Sequence, residues 1–365
     1  MTGNDEGSIL ASTRRLTPHR VEPVILDQLR IAESGAMLSV AEVHEVLDRA
    51  WAEIRMGRAS GAKSVMSLPA EEFWREAGYQ GRRQEFSGER LGWKLSCLYG
   101  VNPDFAGVKV IGANAFNRLL GLPRSRSTYI LMEKFSMQPV AIMDATALSA
   151  ARTGAYASHV FRLCPFEKDQ VTVFLFGAGP IAKAVLASLA DRCAHRIARV
   201  YLKARRVDHA RQLQAEMSMA LPFETITVED NGCLAEADLV ITATNSDHPV
   251  FGDHELSGDA CLLHLGGDEV PVETLQRILR QGQVGCDDLE TVSRRNSQSL
   301  ALQFSRAGTT LEALGPHLGI VELSKTADWR LQAGAPLSVT CVGLPMLDLY
   351  VVAALFEKYC ARTSL

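Results

Sequence analysis

The segment Gly177-Ala178-Gly179-Pro180-Ile181-Ala182 has the residue types and spacing of a loop that binds a dinucleotide pyrophosphate. Gly177 permits a tight turn, and Gly179 removes the Cβ that would keep the backbone away from a phosphate. An apolar run at residues 171–176 precedes the loop and a helical pattern follows it, which is the context that makes the motif specific. The pyrophosphate would lie at the N-terminus of that helix. The pattern predicts a nicotinamide cofactor, with a tight turn in an unrelated α/β sheet as the alternative.

Basic residues after the next predicted strand indicate which dinucleotide is bound. An NAD site usually has an Asp or Glu about 20 residues beyond the loop, where it binds the ribose 2′-hydroxyl. This sequence instead has Lys203-Ala204-Arg205-Arg206, and positive charge suits a 2′-phosphate. We therefore assign Lys203, Arg205 and Arg206 to the cofactor and favour NADP(H) over NAD(H). A solvated basic loop is the alternative.

Two more segments follow apolar strands, at the strand ends where open α/β sheets bind ligands. Thr242-Ala243-Thr244 and Gly267 are predicted to contact the cofactor, because Gly266-Gly267 allows close approach of a nicotinamide. Asp268 would project into the cleft, where a carboxylate can act as a general acid or base. An aspartate in a turn before Pro271 is the alternative.

Three cations, Lys63, Lys109 and Arg152, each lie in an otherwise small or apolar run. A guanidinium can hold a carboxylate through two hydrogen bonds, and a lysine can orient a carbonyl or carboxylate. We predict that all three bind the substrate, that Lys109 also acts in catalysis with Asp268, and that Thr153 contacts the cofactor. The absence of HExxH, GxSxG and zinc-type Cys/His motifs from the sequence argues against metal and serine-hydrolase chemistry.

The pattern of predicted strands and helices that must position these residues indicates an α/β protein. Two domains are expected, because 365 residues exceed the usual size of one core. Residues 1–20 are expected to be a flexible leader. Residues 21–148 and 316–365 would form an α+β domain for substrate binding and dimerisation, and 149–315 a Rossmann-type, doubly wound parallel sheet. Helices are predicted at 38–57, with Ser39 as the N-cap, at 149–163 and at 343–359; the last is too apolar for a surface.

Whole-chain properties exclude several classes of protein. The net charge of −4 comes without a clustered basic face, so we expect no nucleic-acid partner. The eight cysteines are scattered singly, which is typical of reduced thiols. The sequence has neither a signal peptide at its start nor an apolar run of about 20 residues, so we expect a cytoplasmic protein with no membrane partner.

Several of these motifs, taken in order, resemble the ornithine cyclodeaminase and mu-crystallin superfamily from about residue 38 onwards. The motifs are Gly107-Val108-Lys109, Ala151-Arg152-Thr153-Gly154-Ala155, GAGPIA, ITAT and GGD. Residues 106–131, 148–153 and 284–288 are similar to the dehydrogenases of 2,3-diaminopropionate biosynthesis found in siderophore and antibiotic clusters.

The resemblance implies a homodimer formed through the first domain and an active site between the two domains. Lys63, Lys109 and Arg152 would bind the carboxylates of an amino-acid-like substrate, and Asp268 would be the acid/base. For the diaminopropionate branch it implies oxidative cleavage of an N-linked amino acid conjugate. Hydride leaves the glutamate α-carbon, water attacks the imine, and diaminopropionate and 2-oxoglutarate separate.

Departures from the family pattern keep other readings open. Pro271-Val272 replaces the glycine-lysine that follows GGD in ornithine cyclodeaminases, Thr291 lies where a histidine is expected near Asp287-Asp288, and Asp144 replaces a glutamate. The alternatives are an NADPH-dependent ketimine or imine reductase, a cyclodeaminase, and a non-catalytic, cofactor-bound crystallin-like protein. Retention of Lys109, Arg152 and Asp268 together argues against the last.

Overall fold

The structure, a computed structural model, describes residues 22–86, 91–327, 329 and 331–363. The leader predicted at residues 1–20 lies outside these ranges.

The first sheet of the described chain has six strands in the spatial order β1-β6-β5-β4-β3-β2. β1 pairs with β6 in parallel, and the other neighbours are antiparallel. The strands are β1 (Val24–Leu26), β2 (Ser60–Ser67), β3 (Lys94–Val101), β4 (Phe105–Ala113), β5 (Ser125–Glu133) and β6 (Pro139–Asp144).

The second sheet is parallel throughout and, within the described ranges, has eight strands in the order β13-β12-β14-β11-β10-β7-β8-β9. The strands are β7 (Val171–Phe176), β8 (Ile197–Lys203), β9 (Glu224–Thr227), β10 (Leu239–Thr242), β11 (Cys261–His264), β12 (Gln283–Cys286), β13 (Val321–Glu322) and β14 (Leu337–Thr340). The chain leaves β7 towards β8 on one side and returns as β10 on the other, which makes the edge between β7 and β10 a topological switch point.

The helices assigned in the described residues lie mainly against these sheets. They are α1 (Gln28–Glu33), α2 (Val40–Arg55), α3 (Ala70–Arg75), α4 (Ala77–Gln80), α5 (Thr146–Gly154), α6 (Tyr156–Phe161), α7 (Pro180–Arg192), α8 (Val207–Met217), α9 (Val272–Gln281), α10 (Leu289–Arg295), α11 (Ser299–Arg306), α12 (Leu311–Leu314) and α13 (Pro345–Thr363). The α/β class with a Rossmann-type parallel sheet is confirmed. In the described part of the chain, no helix is long and apolar enough to cross a membrane.

Local sequence signals locate the predicted helices well. Ser39 caps α2 through a capping box with Glu42, as its position before the apolar periodicity predicted. The helix predicted at 149–163 is two helices, α5 and α6, which meet at Ala155. A Cβ on Gly154 would overlap the backbone of α7, so the small residues of this region do permit close helix packing.

The boundary predicted at residue 315 is placed too early. β13 and β14 lie beyond it, yet both pair within the parallel sheet, β14 between β11 and β12. Their partners are distant in sequence, so no local pattern signals this pairing. The helix predicted at 343–359 is α13, and it packs against α2 and the strands of the first sheet. The loop from β14 to α13 therefore joins the two sheets.

Candidate active site

The carboxyl ends of five neighbouring strands are aligned along one edge of the parallel sheet. Phe176 of β7 pairs with Thr242 of β10, which pairs with His264 of β11. His264 pairs with Thr340 of β14, and Thr340 pairs with Cys286 of β12. The loops that follow these strands therefore share one edge, where ligands bind in open α/β sheets.

The predicted phosphate loop has the required geometry at both glycines. Gly177 has a φ of +115°, and a Cβ there would lie 2.6 Å from the carbonyl oxygen of Ala243. The space beside Gly179 is open, because a Cβ built there meets no atom within 4 Å. Pro180 is the first residue of α7, so the helix N-terminus faces this space. The loop fits a dinucleotide pyrophosphate.

The other predicted loop residues have supporting positions. Ala178 and Ile181 pack against the hydrophobic core, and Ala182 is fully buried. Thr153 donates a hydrogen bond from Oγ1 to the carbonyl of Ser149 in the same helix, at 2.7 Å. Its predicted contact with the cofactor stays a prediction.

The basic strand end lies beside the phosphate loop, because the Gly177 N–H donates to the Lys203 carbonyl at 2.8 Å. The Lys203 ammonium donates a hydrogen bond to Asn231 Oδ1 at 2.6 Å, so this side chain is bound to the protein and is not only solvated. Arg205 and Arg206 are exposed, and Arg206 contacts His209. The predicted contacts of Lys203, Arg205 and Arg206 with the cofactor stay predictions.

A buried carboxylate, Glu269, orders the loops after β10 and β11. Its Oε1 accepts from the Thr244 N–H at 2.7 Å and the Thr244 hydroxyl at 2.5 Å, and its Oε2 accepts from the Thr242 hydroxyl at 2.7 Å. Burial raises the pKa of Glu269, although these hydrogen bonds oppose the effect. A Cβ on Gly266 would overlap this carboxylate, and one on Gly267 would overlap the Ser246 carbonyl. Both glycines are therefore required by close packing.

Asp268 is buried, and its Oδ2 forms an ion pair with Arg306 of α11. Its backbone N–H donates to the Ser246 carbonyl at 3.2 Å. Within the described residues, the structure does not bring Asp268 into direct contact with the three predicted substrate-binding cations. Its acid/base role stays a prediction.

Lys109 and Arg152 meet on one buried carboxylate, Asp348 of α13. Lys109 Nζ lies 2.7 Å from Asp348 Oδ2, and Arg152 donates to both carboxylate oxygens at 2.8 and 3.0 Å. Burial opposes ionisation of Asp348, but the charges of Arg152 and Lys109 outweigh it and keep its pKa below the usual value. Burial lowers the pKa of Lys109 to about 8, with the Asp348 charge opposing. The two predicted cations therefore share one buried carboxylate, and their substrate-binding roles stay predictions.

Lys63 reaches the same region from β2, where it meets a cation that the sequence reasoning missed. Lys63 Nζ donates to the Val342 carbonyl at 3.2 Å, and Arg295 donates to the same oxygen at 3.1 Å. Burial and the charge of Arg295 hold the pKa of Lys63 well below its usual value. Burial lowers the pKa of Arg295 to about 10.

Asp287 fixes the backbone between the two groups of cations. Its Oδ2 accepts from the N–H groups of Val342 and Gly343 at 2.9 and 2.8 Å, and from the Tyr156 hydroxyl at 2.9 Å. Gly343 has a φ of +86°, and a Cβ there would overlap the Arg152 guanidinium. Asp287 thus orders the β14–α13 loop, a role that the sequence pattern did not reveal.

A sequence signal existed for one of the missed residues. Asp348 is a lone acid in the apolar run of α13, just as Lys109 is a lone cation in its strand. Such isolated charges indicate buried ion pairs. Arg295 carries no comparable signal, since it stands beside the exposed Arg294 at the end of a short helix.

The parallel sheet, its switch point and the phosphate loop define a Rossmann-type α/β protein. The chain belongs to the ornithine cyclodeaminase/mu-crystallin family, whose sequence profile matches residues 98–311.

Individual relatives match this chain to different extents. An uncharacterized cyclodeaminase from Dictyostelium discoideum is 27% identical over 171 residues, which cover 43% of this chain and 46% of the relative, so the match spans less than half of that protein. An NAD(P)H-dependent anabolic L-arginine dehydrogenase from Pseudomonas aeruginosa is 27% identical over 347 residues, covering 92% of this chain and 97% of the relative.

One similar solved structure is the Thermococcus litoralis Δ1-pyrroline-2-carboxylate reductase in complex with NADH and L-proline. The two folds agree with a TM-score of 0.76 at 20% identity, over 94% of this chain and 98% of that chain. At this identity the likeness concerns the fold.

Proposed function

We propose that this protein is an NAD(P)-dependent oxidoreductase that acts on the C–N bond of an amino acid or an N-substituted amino acid conjugate. The observation that carries the proposal is the arrangement along the carboxyl edge of the parallel sheet. The phosphate loop at residues 177–182 lies at one part of this edge, and the loop to α13 gathers Lys63, Lys109 and Arg152 at another. In the proposal, the cofactor and the substrate carboxylate would bind along this same edge of the sheet.

The residues along this edge would have separate tasks in the proposed reaction. Lys109 and Arg152, held by Asp348, bind and orient a substrate carboxylate. NAD(P), when bound, supplies the acceptor or donor of the hydride. In the oxidative direction the carbon beside the carboxylate loses hydride and becomes an imine carbon. Water then adds to that carbon, Asp268 moves the protons, and breakage of the C–N bond releases an amine and a 2-oxo acid.

The names of two relatives support this reaction type. One is described as an NAD(P)H-dependent anabolic arginine dehydrogenase. The other is a reductase of pyrroline-2-carboxylate, which is a cyclic imine beside a carboxylate, and its structure holds NADH and L-proline. Reduction of an imine is the same chemistry in reverse, so the reductive direction is part of the proposal.

The proposals for the substrate and for the choice between NADP(H) and NAD(H) rest on this chain's own residues. The segments similar to diaminopropionate dehydrogenases favour a conjugate of 2,3-diaminopropionate and a 2-oxo acid as substrate. The exposed Arg205 and Arg206 favour NADP(H) over NAD(H).

A homodimer is also part of the proposal. The face of the first sheet that carries Met66, Leu95, Tyr99 and Val110 leaves these large apolar side chains exposed. A contiguous exposed apolar face marks an association surface. Light scattering should give twice the chain mass, and a Leu95→Lys substitution should lower it; a monomer in the wild type would contradict this part of the proposal.

The experiment follows consumption of NADPH in the presence of 2,3-diaminopropionate and 2-oxoglutarate. We expect turnover by the wild type, and an Asp268→Asn variant should lose about 10²–10⁴-fold in rate. Asp259→Asn, at an exposed aspartate that contacts Ser257, is the matched control and should retain activity. Unchanged turnover in Asp268→Asn would remove Asp268 from the mechanism. Release of ammonia from ornithine without net NADPH consumption would indicate a cyclodeaminase, and tight cofactor binding without any turnover would indicate a binding protein.

A further inference from the structure

We propose that the buried Glu269 side chain is a fixed negative charge beside the cofactor site, that it stabilises the oxidised cofactor, and that it thereby biases hydride transfer towards the substrate. The inference rests on the proposed function and deepens it, because it assigns a direction to the reaction. That direction is the reduction of an imine beside a carboxylate.

Glu269 lies at the switch point of the parallel sheet. Its Oε2 accepts from the hydroxyl of Thr242, the last residue of β10, at 2.7 Å, and β10 pairs with β7, the strand before the phosphate loop. Its Oε1 accepts from the N–H and the hydroxyl of Thr244, at 2.7 and 2.5 Å. The loop after β10 also abuts the phosphate loop, since a Cβ on Gly177 would lie 2.6 Å from the Ala243 carbonyl oxygen. The carboxylate is thus bound to the strand end where such sheets bind a dinucleotide.

No positive charge balances this carboxylate among the residues that the structure describes. Glu269 is 0% exposed and forms no ion pair there, whereas the neighbouring Asp268 is paired with Arg306. His264 Nδ1 lies 3.1 Å from Thr242 Oγ1, but burial lowers the pKa of His264 to about 3, so the ring is neutral. Because the Thr242 hydroxyl donates its proton to Glu269, it accepts from His264, and this chain of donors points at the carboxylate.

The donors around Glu269 favour its charged form. Burial raises the pKa of Glu269, and hydrogen bonds from Thr244, Thr242 and the Gly266 N–H oppose that rise. Both carboxylate oxygens accept from these donors, so hydrogen bonds stabilise the charge in place of a cation. At pH 8, well above the ordinary glutamate pKa of about 4.3, we expect the group to be ionised.

A fixed charge at this place acts on the charge that the cofactor changes. In the reductive direction the imine carbon gains hydride, its nitrogen gains a proton, and the nicotinamide ring is left with one more positive charge. Two unit charges about 10 Å apart, at an effective dielectric constant of about 20, change a binding constant by about one order of magnitude. Glu269 therefore favours the oxidised over the reduced cofactor on the protein, which makes hydride transfer to the imine more favourable there.

The test measures the ratio of the dissociation constants of NADPH and NADP⁺, by calorimetric titration of the full chain at pH 8 without substrate. NAD(H) replaces NADP(H) if that pair binds more tightly. Glu269→Gln keeps the size of the side chain and an acceptor oxygen but removes the charge. We expect it to weaken binding of the oxidised form relative to the reduced form by at least about fivefold.

The matched control is Glu322→Gln. Glu322 is also a buried carboxylate, and it pairs with Lys325 at 2.6 Å. It ends β13, which is four strands away from β10 in the sheet, or about 19 Å at the usual strand spacing. The ratio should be unchanged in this variant.

A change in the ratio smaller than about fivefold in Glu269→Gln would overturn the proposal. Equal weakening of both forms is such a result, because it means that the residue only orders the loops. Glu269→Asp retains the charge, so it should keep the ratio near the wild-type value even where both affinities fall, and a ratio like that of Glu269→Gln would also overturn the proposal.

The wild type decides the matter if neither variant folds. Reduced cofactor that binds more than about tenfold more tightly than oxidised cofactor would be incompatible with an unbalanced negative charge beside the ring. The titrations contain no substrate, so this failure is distinguishable from failure of the proposed function. The latter appears as absence of cofactor binding or of hydride transfer to an imine.

Discussion

Replacing Asp348 with Asn should lower the free energy of unfolding by about 3–5 kcal/mol, because it leaves two buried cations without a negative partner. The carboxylate is 3% exposed, and the side chains of Lys109 and Arg152 are 0% and 6% exposed. With an unfolding entropy of about 2.1 cal/mol/K per residue over 365 residues, this loss corresponds to a fall of about 4–7 °C in Tm. The magnitude follows from burial, since exposed ion pairs contribute at most about 1 kcal/mol.

The assay is urea denaturation with a parallel thermal scan, using Glu71→Gln as the control. Glu71 forms an ion pair with Arg83 at 2.6 Å, but both side chains are more than half exposed, so its loss should cost less than about 1 kcal/mol. An Asp348→Asn protein whose unfolding free energy is within about 1 kcal/mol of the wild type would refute the account of the buried network.

The difference in unfolding free energy between the wild type and Asp348→Asn should depend on pH. The pKa of Asp348 is lowered in the folded state, so its contribution is complete above the pKa of an unfolded aspartate, about 3.9, and is lost as the pH falls through the folded value. The difference between wild type and Asp348→Asn should therefore be largest near neutrality and shrink in acid. A difference that grows on acidification would contradict this sign.

Three further predictions concern the cofactor and the substrate. Gly179→Ala should leave Tm unchanged but weaken dinucleotide binding at least about tenfold, because its Cβ enters the open space beside the loop. Gly177→Ala should lower Tm as well, because Gly177 has a positive φ. Equal effects of the two substitutions on Tm would contradict the separate roles given to the two glycines. The double substitution of Arg205 and Arg206 by Gln should weaken NADPH binding, followed by intrinsic fluorescence, and spare NADH; tighter binding of NADH by the wild type would refute the preference. The value of kcat/KM should fall as the pH rises through about 8, because Lys109 then loses the charge that binds a carboxylate; a flat profile to pH 10 would remove Lys109 from substrate binding.

Local signals account for the parts of the fold that the sequence predicts correctly. The capping box at Ser39 and the turn at Gly177 are specified by residues within a few positions of each other. Strand β7 coincides with the apolar run at residues 171–176, which ends at Gly177. Such features depend little on the rest of the chain, so sequence reasoning locates them.

The parts that were missed depend on distant contacts. β2 is a largely exposed edge strand with the sequence SGAKSVMS, which lacks a regular alternation of polar and apolar residues. β14 joins the parallel sheet through partners far away in the chain. Arg295 and Asp348 approach the predicted cations only because the β14–α13 loop brings the two sheets together. These contacts arise in the tertiary structure, and sequence spacing does not encode them.

The most direct test of the proposed function is the destination of the transferred hydride. NADPH deuterated at C4 on both faces is incubated with the protein and either 2-oxoglutarate plus 2,3-diaminopropionate or Δ1-pyrroline-2-carboxylate, and the product is analysed by mass spectrometry. We expect one deuterium on the carbon that carries both the carboxylate and the new or reduced C–N bond. Absence of deuterium from that carbon with both probes would contradict it.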